Sequence, residues 1–130
     1  MKKNQVINND NSYYVLLSLL KEYASIQDNY YVIDIVIYKK LLYNNKLNTF
    51  IEELKPYYYD SKLKYLENCK TYSNFLTIIR QICSYNNISY DKKVIYKKSK
   101  YEAIYYINMN SINTLWMLYY LIISLVHSSM

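Results

Sequence analysis

The sequence predicts an all-α protein: a single-domain bundle of six to seven helices over residues 1–130, ending in an apolar C-terminal helix. Three observations carry this. The chain has 130 residues, enough for one core and too few for two. It contains no glycine, so no hairpin turn can be built on one. And apolar residues recur at helical spacing in segment after segment.

The elements follow in order. Met1 to Asn11 is polar and expected to fray, and no long apolar stretch behind Lys2 and Lys3 marks a secretory signal. Ser12 is a fitting N-cap for a helix over about Tyr13–Gln27, with Val15, Leu16, Leu19, Leu20, Tyr23 and Ile26 on one stripe and Asp28-Asn29 as its break. Tyr30–Tyr43 is ambiguous. Val32, Ile33, Ile35, Val36 and Ile37 are β-branched, which favours a strand. A lone strand leaves backbone groups unpaired, and Ile33, Ile37 and Leu41 fit a helix, so the reading is an extended entry followed by a helix over about Ile35–Tyr43. Leu47, Phe50, Ile51 and Leu54 give the cleanest helical spacing, closed by Pro56. Ser61–Lys70 reads as a short surface helix. Tyr72, Phe75, Ile79, Ile82 and Cys83 line a helix that looks central, with Asn86-Asn87 closing it. Lys92–Tyr106 alternates basic and apolar groups, with Val94, Ile95, Tyr101, Ile104 and Tyr105 as anchors.

Composition narrows the function. Lys, Asn, Ile and Tyr make up half the chain, against two Ala and one Arg. The abundant residues use AT-rich codons, so an AT-rich genome explains most of the 20 tyrosines. Without glycine there is no P-loop and no Gly-rich dinucleotide turn. One His and two Cys assemble no ordinary zinc site, and no metal or other cofactor is expected. Cys69 and Cys83 suit a reducing compartment and small core positions. His127 has no Ser or Cys placed to form a nucleophile–base pair, and a helix-end role fits it better. Glu52-Glu53 falls on the polar side of an amphipathic helix, a solvated face. No enzyme signature emerges. Of the clustered tyrosines, Tyr57-Tyr58-Tyr59 after Pro56 stands out.

The net charge of +6 is concentrated in the second half, mainly at Lys92, Lys93, Lys97, Lys98 and Lys100. Lysines interleaved with tyrosines suit single-stranded nucleic acid or an anionic lipid surface. The single arginine weighs against nucleic acid, and the position beside an apolar segment favours lipid. Ordinary surface lysine, driven by codon bias, is the plain alternative. From Ala103 onward no residue is charged apart from titratable His127. Leu115–Val126 is apolar almost all round but spans only about 18 Å as a helix, short of the ~30 Å of a bilayer core. Two readings stay open for this tail: a buried C-terminal helix and a membrane anchor.

The order of segments resembles the Bcl-2-like proteins of poxviruses, particularly avian ones. Ser12-Tyr13-Tyr14-Val15-Leu16-Leu17 followed by Tyr31-Val32-Ile33-Asp34 and Ile35-Val36-Ile37-Tyr38-Lys39-Lys40-Leu41 is similar to the start of that family. Leu76-Thr77-Ile78-Ile79 with Cys83-Ser84-Tyr85 resembles its central helix. Ile95-Tyr96-Lys97-Lys98 and Leu121-Ile122-Ile123-Ser124-Leu125-Val126 resemble the basic linker and tail of its membrane-anchored members. The family's central helix opens with Asn-Trp-Gly-Arg, whereas this chain has Thr71-Tyr72-Ser73-Asn74 there and so lacks the cation that pairs with a BH3 aspartate.

The resemblance implies an inhibitor of host apoptosis. It would bind the BH3 helices of pro-apoptotic proteins in a groove formed by Phe50, Ile51, Leu54, Tyr72, Phe75 and Ile79. The implied location is the host cytoplasm, with the mitochondrial outer membrane for anchored members and Lys92, Lys93, Lys97, Lys98 and Lys100 as the membrane-proximal basic group. The alternatives are a Bcl-2 fold redirected to innate-immune (NF-κB) signalling, often as a homodimer, and a small membrane-associated virion structural protein.

Overall fold

A computed structural model describes residues 12–58 and 62–128. The elements run α1 (Ser12–Tyr23), β1 (Ser25–Gln27), β2 (Tyr30–Ile33), α2 (Ile35–Tyr43), α3 (Lys46–Leu54), a 3₁₀ turn (Lys55–Tyr57), α4 (Leu63–Glu67), α5 (Tyr72–Tyr85), β3 (Tyr90–Lys97), β4 (Lys100–Asn108) and α6 (Met109–Ser128). The fold is mixed. A four-stranded antiparallel sheet of order β1-β2-β4-β3 packs one face on the helices. The expectation of an all-α, Bcl-2-like helical bundle is therefore corrected: the helices are present, but so is a sheet.

Several helices form where the apolar spacing places them, and their ends have local causes. The Asp34 carboxylate accepts hydrogen bonds from the Val36 and Ile37 amides at 3.1 and 3.3 Å and caps α2. Thr71 caps α5 through the Asn74 amide at 3.1 Å. Helix α5 buries Phe75, Leu76, Ile78, Ile79, Ile82 and Cys83, an apolar face turned into the core. The extended entry at Tyr30–Ile33 and the helix after it both occur.

Helix α1 stops at Tyr23, four residues before the expected end, because Ser25–Gln27 pairs with Tyr30–Val32 instead. The strand expected to lack a partner thus has two. Asp28 supplies the turn to β1 with φ 54°, a conformation that Asp and Asn tolerate better than most residues. The second partner arrives from far along the chain, as β4 pairs β2 from Tyr30↔Asn108 to Ile33↔Tyr105.

The largest departure is Lys92–Tyr106, read above as part of a helical bundle and folded here as the β3–β4 hairpin. Its two-residue loop, Lys98-Ser99, sits in the left-handed region at both positions (φ 51° and 63°). That is the pattern of a type I′ turn, in which Asn-Gly is the usual choice. A chain without glycine accepts the steric cost at two side-chain-bearing residues, about 1–2 kcal/mol each. Replacing Ser99 by glycine is accordingly expected to stabilise the protein by about 0.5–1 kcal/mol. Thermal unfolding measures it, and an unchanged or lower midpoint would show that the turn carries no such cost.

The sheet reads as two faces. Tyr31, Ile33, Tyr105 and Ile107 are buried in the main core against the helices. On the opposite face, the Tyr30 and Tyr106 rings meet edge-on, with centroids 6.3 Å apart. The Tyr72 hydroxyl donates to the Ala103 carbonyl at 2.6 Å, tying α5 to β4. A buried Asn86 amide donates to the Ser12 hydroxyl at 2.9 Å and to the Ile82 carbonyl at 2.9 Å, linking the end of α5 to the start of α1.

Candidate functional site

The residues expected to line a BH3 groove come together, but as core. Phe50, Ile51, Leu54, Phe75 and Ile79 are all buried in one cluster, and Tyr72 is half-buried against it. The Phe75 ring packs between Tyr38 and Phe50, at 5.5 and 5.9 Å between centroids. A cleft of about 100 Å³ beside Phe50, lined also by Leu19, Glu22, Lys46 and Glu53, is small against the ~300–1,000 Å³ of ordinary ligand pockets.

The other singled-out residues find plain settings. Glu52 is exposed and pairs with Lys55 at 2.8 Å, one turn away. Cys69 and Cys83 are buried free thiols, pushed up by burial to about 11 and about 12, so neither is a ready nucleophile. Tyr58 is buried with its hydroxyl bonded to the Gln81 side chain, while Tyr59 lies outside the described residues, as do Met1–Asn11 and Ser61. His127 falls in the last turn of α6.

Two surfaces remain that packing does not explain. The first is on α6. Ile112, in its first turn, is fully buried, so the helix starts as core. Further along, Met117, Leu121 and Leu125 are 63%, 57% and 68% exposed. Four-residue steps keep these three side chains on one stripe, about 12 Å long. The tail is thus neither wholly buried nor a span: no helix among the described residues is long and apolar enough to cross a membrane.

The second surface is the outer half of the β3–β4 hairpin. Tyr96 and Tyr101 sit directly opposite each other and are 65% and 77% exposed. Their ring centroids are 4.9 Å apart, tilted by 54°. Val94, expected as an anchor with Tyr101, is 53% exposed. Only Tyr105 of the anchors proposed in this stretch is buried, while Ile95 and Ile104 are half-buried. Lys92, Lys93, Lys97, Lys98 and Lys100 are all exposed on this hairpin and none forms an ion pair with a described residue. Sequence reasoning found the lysines as a charge run. It missed the tyrosine pair and the α6 stripe, since exposure depends on where the rest of the chain lies.

Comparison with protein-family models, with curated proteins and with solved structures finds no match.

Proposed function

We propose that this protein is a non-catalytic binding module that works at a membrane surface, with the outer face of α6 as its apolar contact. The observation that carries the reading is the stripe of Met117, Leu121 and Leu125 left in water on a helix that bears no charged residue before His127. Side chains of this kind each gain roughly 1.5–3 kcal/mol when fully withdrawn from water. Leaving three of them exposed in line is a cost that a lipid boundary would remove. The first turns of α6 carry Asn110, Asn113 and Thr114, and no helix among the described residues is long and apolar enough to cross a membrane, so the contact is read as interfacial. Capture of BH3 helices draws no support from this arrangement, because the residues it would use are enclosed by the core.

The test is co-sedimentation of the full chain with lipid vesicles, comparing the natural sequence with a Leu121→Asn/Leu125→Asn variant. Both positions are exposed, so the variant is expected to keep its unfolding midpoint while losing at least tenfold in vesicle binding. Equal binding by the two forms, or none by the natural one, would overturn the reading. Light scattering without lipid adds the competing outcome: a dimer that the double variant abolishes would make the stripe a protein–protein seam instead.

A further inference from the structure

We infer that the tip of the β3–β4 hairpin is a second contact of the same protein with the membrane, and that it selects anionic lipid headgroups. The inference rests on the membrane reading above and adds the chemistry of the partner. The tip is built against its own local stability in two ways. Lys97 lies directly opposite Lys100 in the last paired position, and like charges so placed repel. Lys98 and Ser99 both hold left-handed backbone, which a side chain makes costly. Strain of this sort concentrates where a ligand offsets it. An anionic surface would offset the repulsion by placing negative charge beside both lysines.

Charge and geometry identify the partner. The hairpin carries five lysines against Asp91 and Glu102, and none of the five forms an ion pair with a described residue. Alternation along the strands sorts them. Lys92 shares a face with Val94, Tyr96 and Tyr101, while Lys93, Lys97 and Lys100 point to the other side. The tip therefore presents two tyrosine rings with polar ends on one face and the ammonium groups of Lys97 and Lys100 on the other, with Lys98 in the turn between them, a combination suited to the headgroup layer. Single-stranded nucleic acid fits less well. The hairpin contains no arginine, whose planar guanidinium makes the bidentate phosphate contact that a lysine cannot.

The experiment uses the full chain, vesicles of phosphatidylcholine alone, and vesicles of phosphatidylcholine mixed with phosphatidylserine. The natural protein is expected to bind the mixed vesicles more tightly, with the advantage fading as salt is raised. A Lys97→Gln/Lys98→Gln/Lys100→Gln variant is expected to lose on the order of 100-fold on the mixed vesicles and little on phosphatidylcholine alone. Its circular dichroism spectrum should match the natural protein's, since all three side chains are exposed. Equal binding of the natural protein to both vesicle types would overturn the hairpin's role and leave the α6 reading standing. Binding to neither would end both. Binding to oligothymidylate that the triple variant abolishes, with vesicle binding untouched, would reassign the tip to nucleic acid.

Discussion

Truncating Phe75 to alanine is expected to destabilise the protein by about 3–5 kcal/mol, a large share of the ~5–15 kcal/mol typical of a domain. Phe75 is fully enclosed and contacts Tyr38 of α2 and Phe50 of α3 from its place on α5. Removing the ring leaves a cavity at the point where three helices meet, and none of the three is free to collapse into it without losing its own contacts. Urea unfolding is the measurement, with the midpoint falling and the slope unchanged. The outcome also separates two roles for this residue. A ring lining an open groove would cost binding when truncated and leave the midpoint nearly in place. A core ring costs stability first, and Phe75→Leu recovers most of it.

The second large effect is alkaline unfolding. Burial raises the Cys83 thiol to about 12 and the Cys69 thiol to about 11, against an ordinary value of 9.0. Burial also raises the phenols of Tyr58 and Tyr72. Each of these groups is an acid held neutral by the fold. The unfolded chain releases the proton first as pH rises, so it binds fewer protons than the native state, and stability falls with pH. The thiol contribution is fully present below about pH 9 and is lost as pH climbs through the native values. Shifts of this size make the total loss on the order of several kcal/mol. The urea midpoint is therefore expected to be flat around neutrality and to drop steadily above about pH 9. A Cys69→Ala/Cys83→Ala variant, less stable at neutrality, should show a shallower alkaline slope. A slope identical to the natural protein's would show that thiol burial is not its source.

How much of this was legible in the residues differs from element to element. Leu47, Phe50, Ile51 and Leu54 announced α3, and the apolar row from Phe75 to Cys83 announced α5, because a helix writes its buried face into local spacing. The β-branched run from Val32, together with Ile33, Ile37 and Leu41 at helical spacing, placed an extended entry running into α2. The hairpin was missed for two reasons. Its turn uses Lys98-Ser99 in place of the asparagine–glycine pair that marks such turns, since no glycine is available. And β4 lies in the interior of the sheet, with Tyr105 and Ile107 buried on one face and Ile104 and Tyr106 half-buried on the other, so the two-residue alternation that marks a half-exposed strand is blurred.

The candidate site divides along the same line. The lysine cluster and the charge-free tail were plain in the sequence. That Tyr96 faces Tyr101 was not, because a cross-strand pair exists only once the register is set. The expected groove residues were correctly recognised as apolar and neighbouring, yet periodicity says only that a face is buried, not whether a partner helix or the rest of the same chain buries it.

By itself, then, the sequence determined the position of several helices, the main apolar residues of the core, and a basic segment followed by an uncharged end. Those properties depend on residues within one or two turns of each other. Tertiary structure alone decided that Ser25–Gln27 leaves α1 to pair with β2, that β2 finds β4 more than 70 residues away, and that Met117, Leu121 and Leu125 stay in water. Strand pairing and exposure are set by what else the chain brings to the same place, and that information is not local.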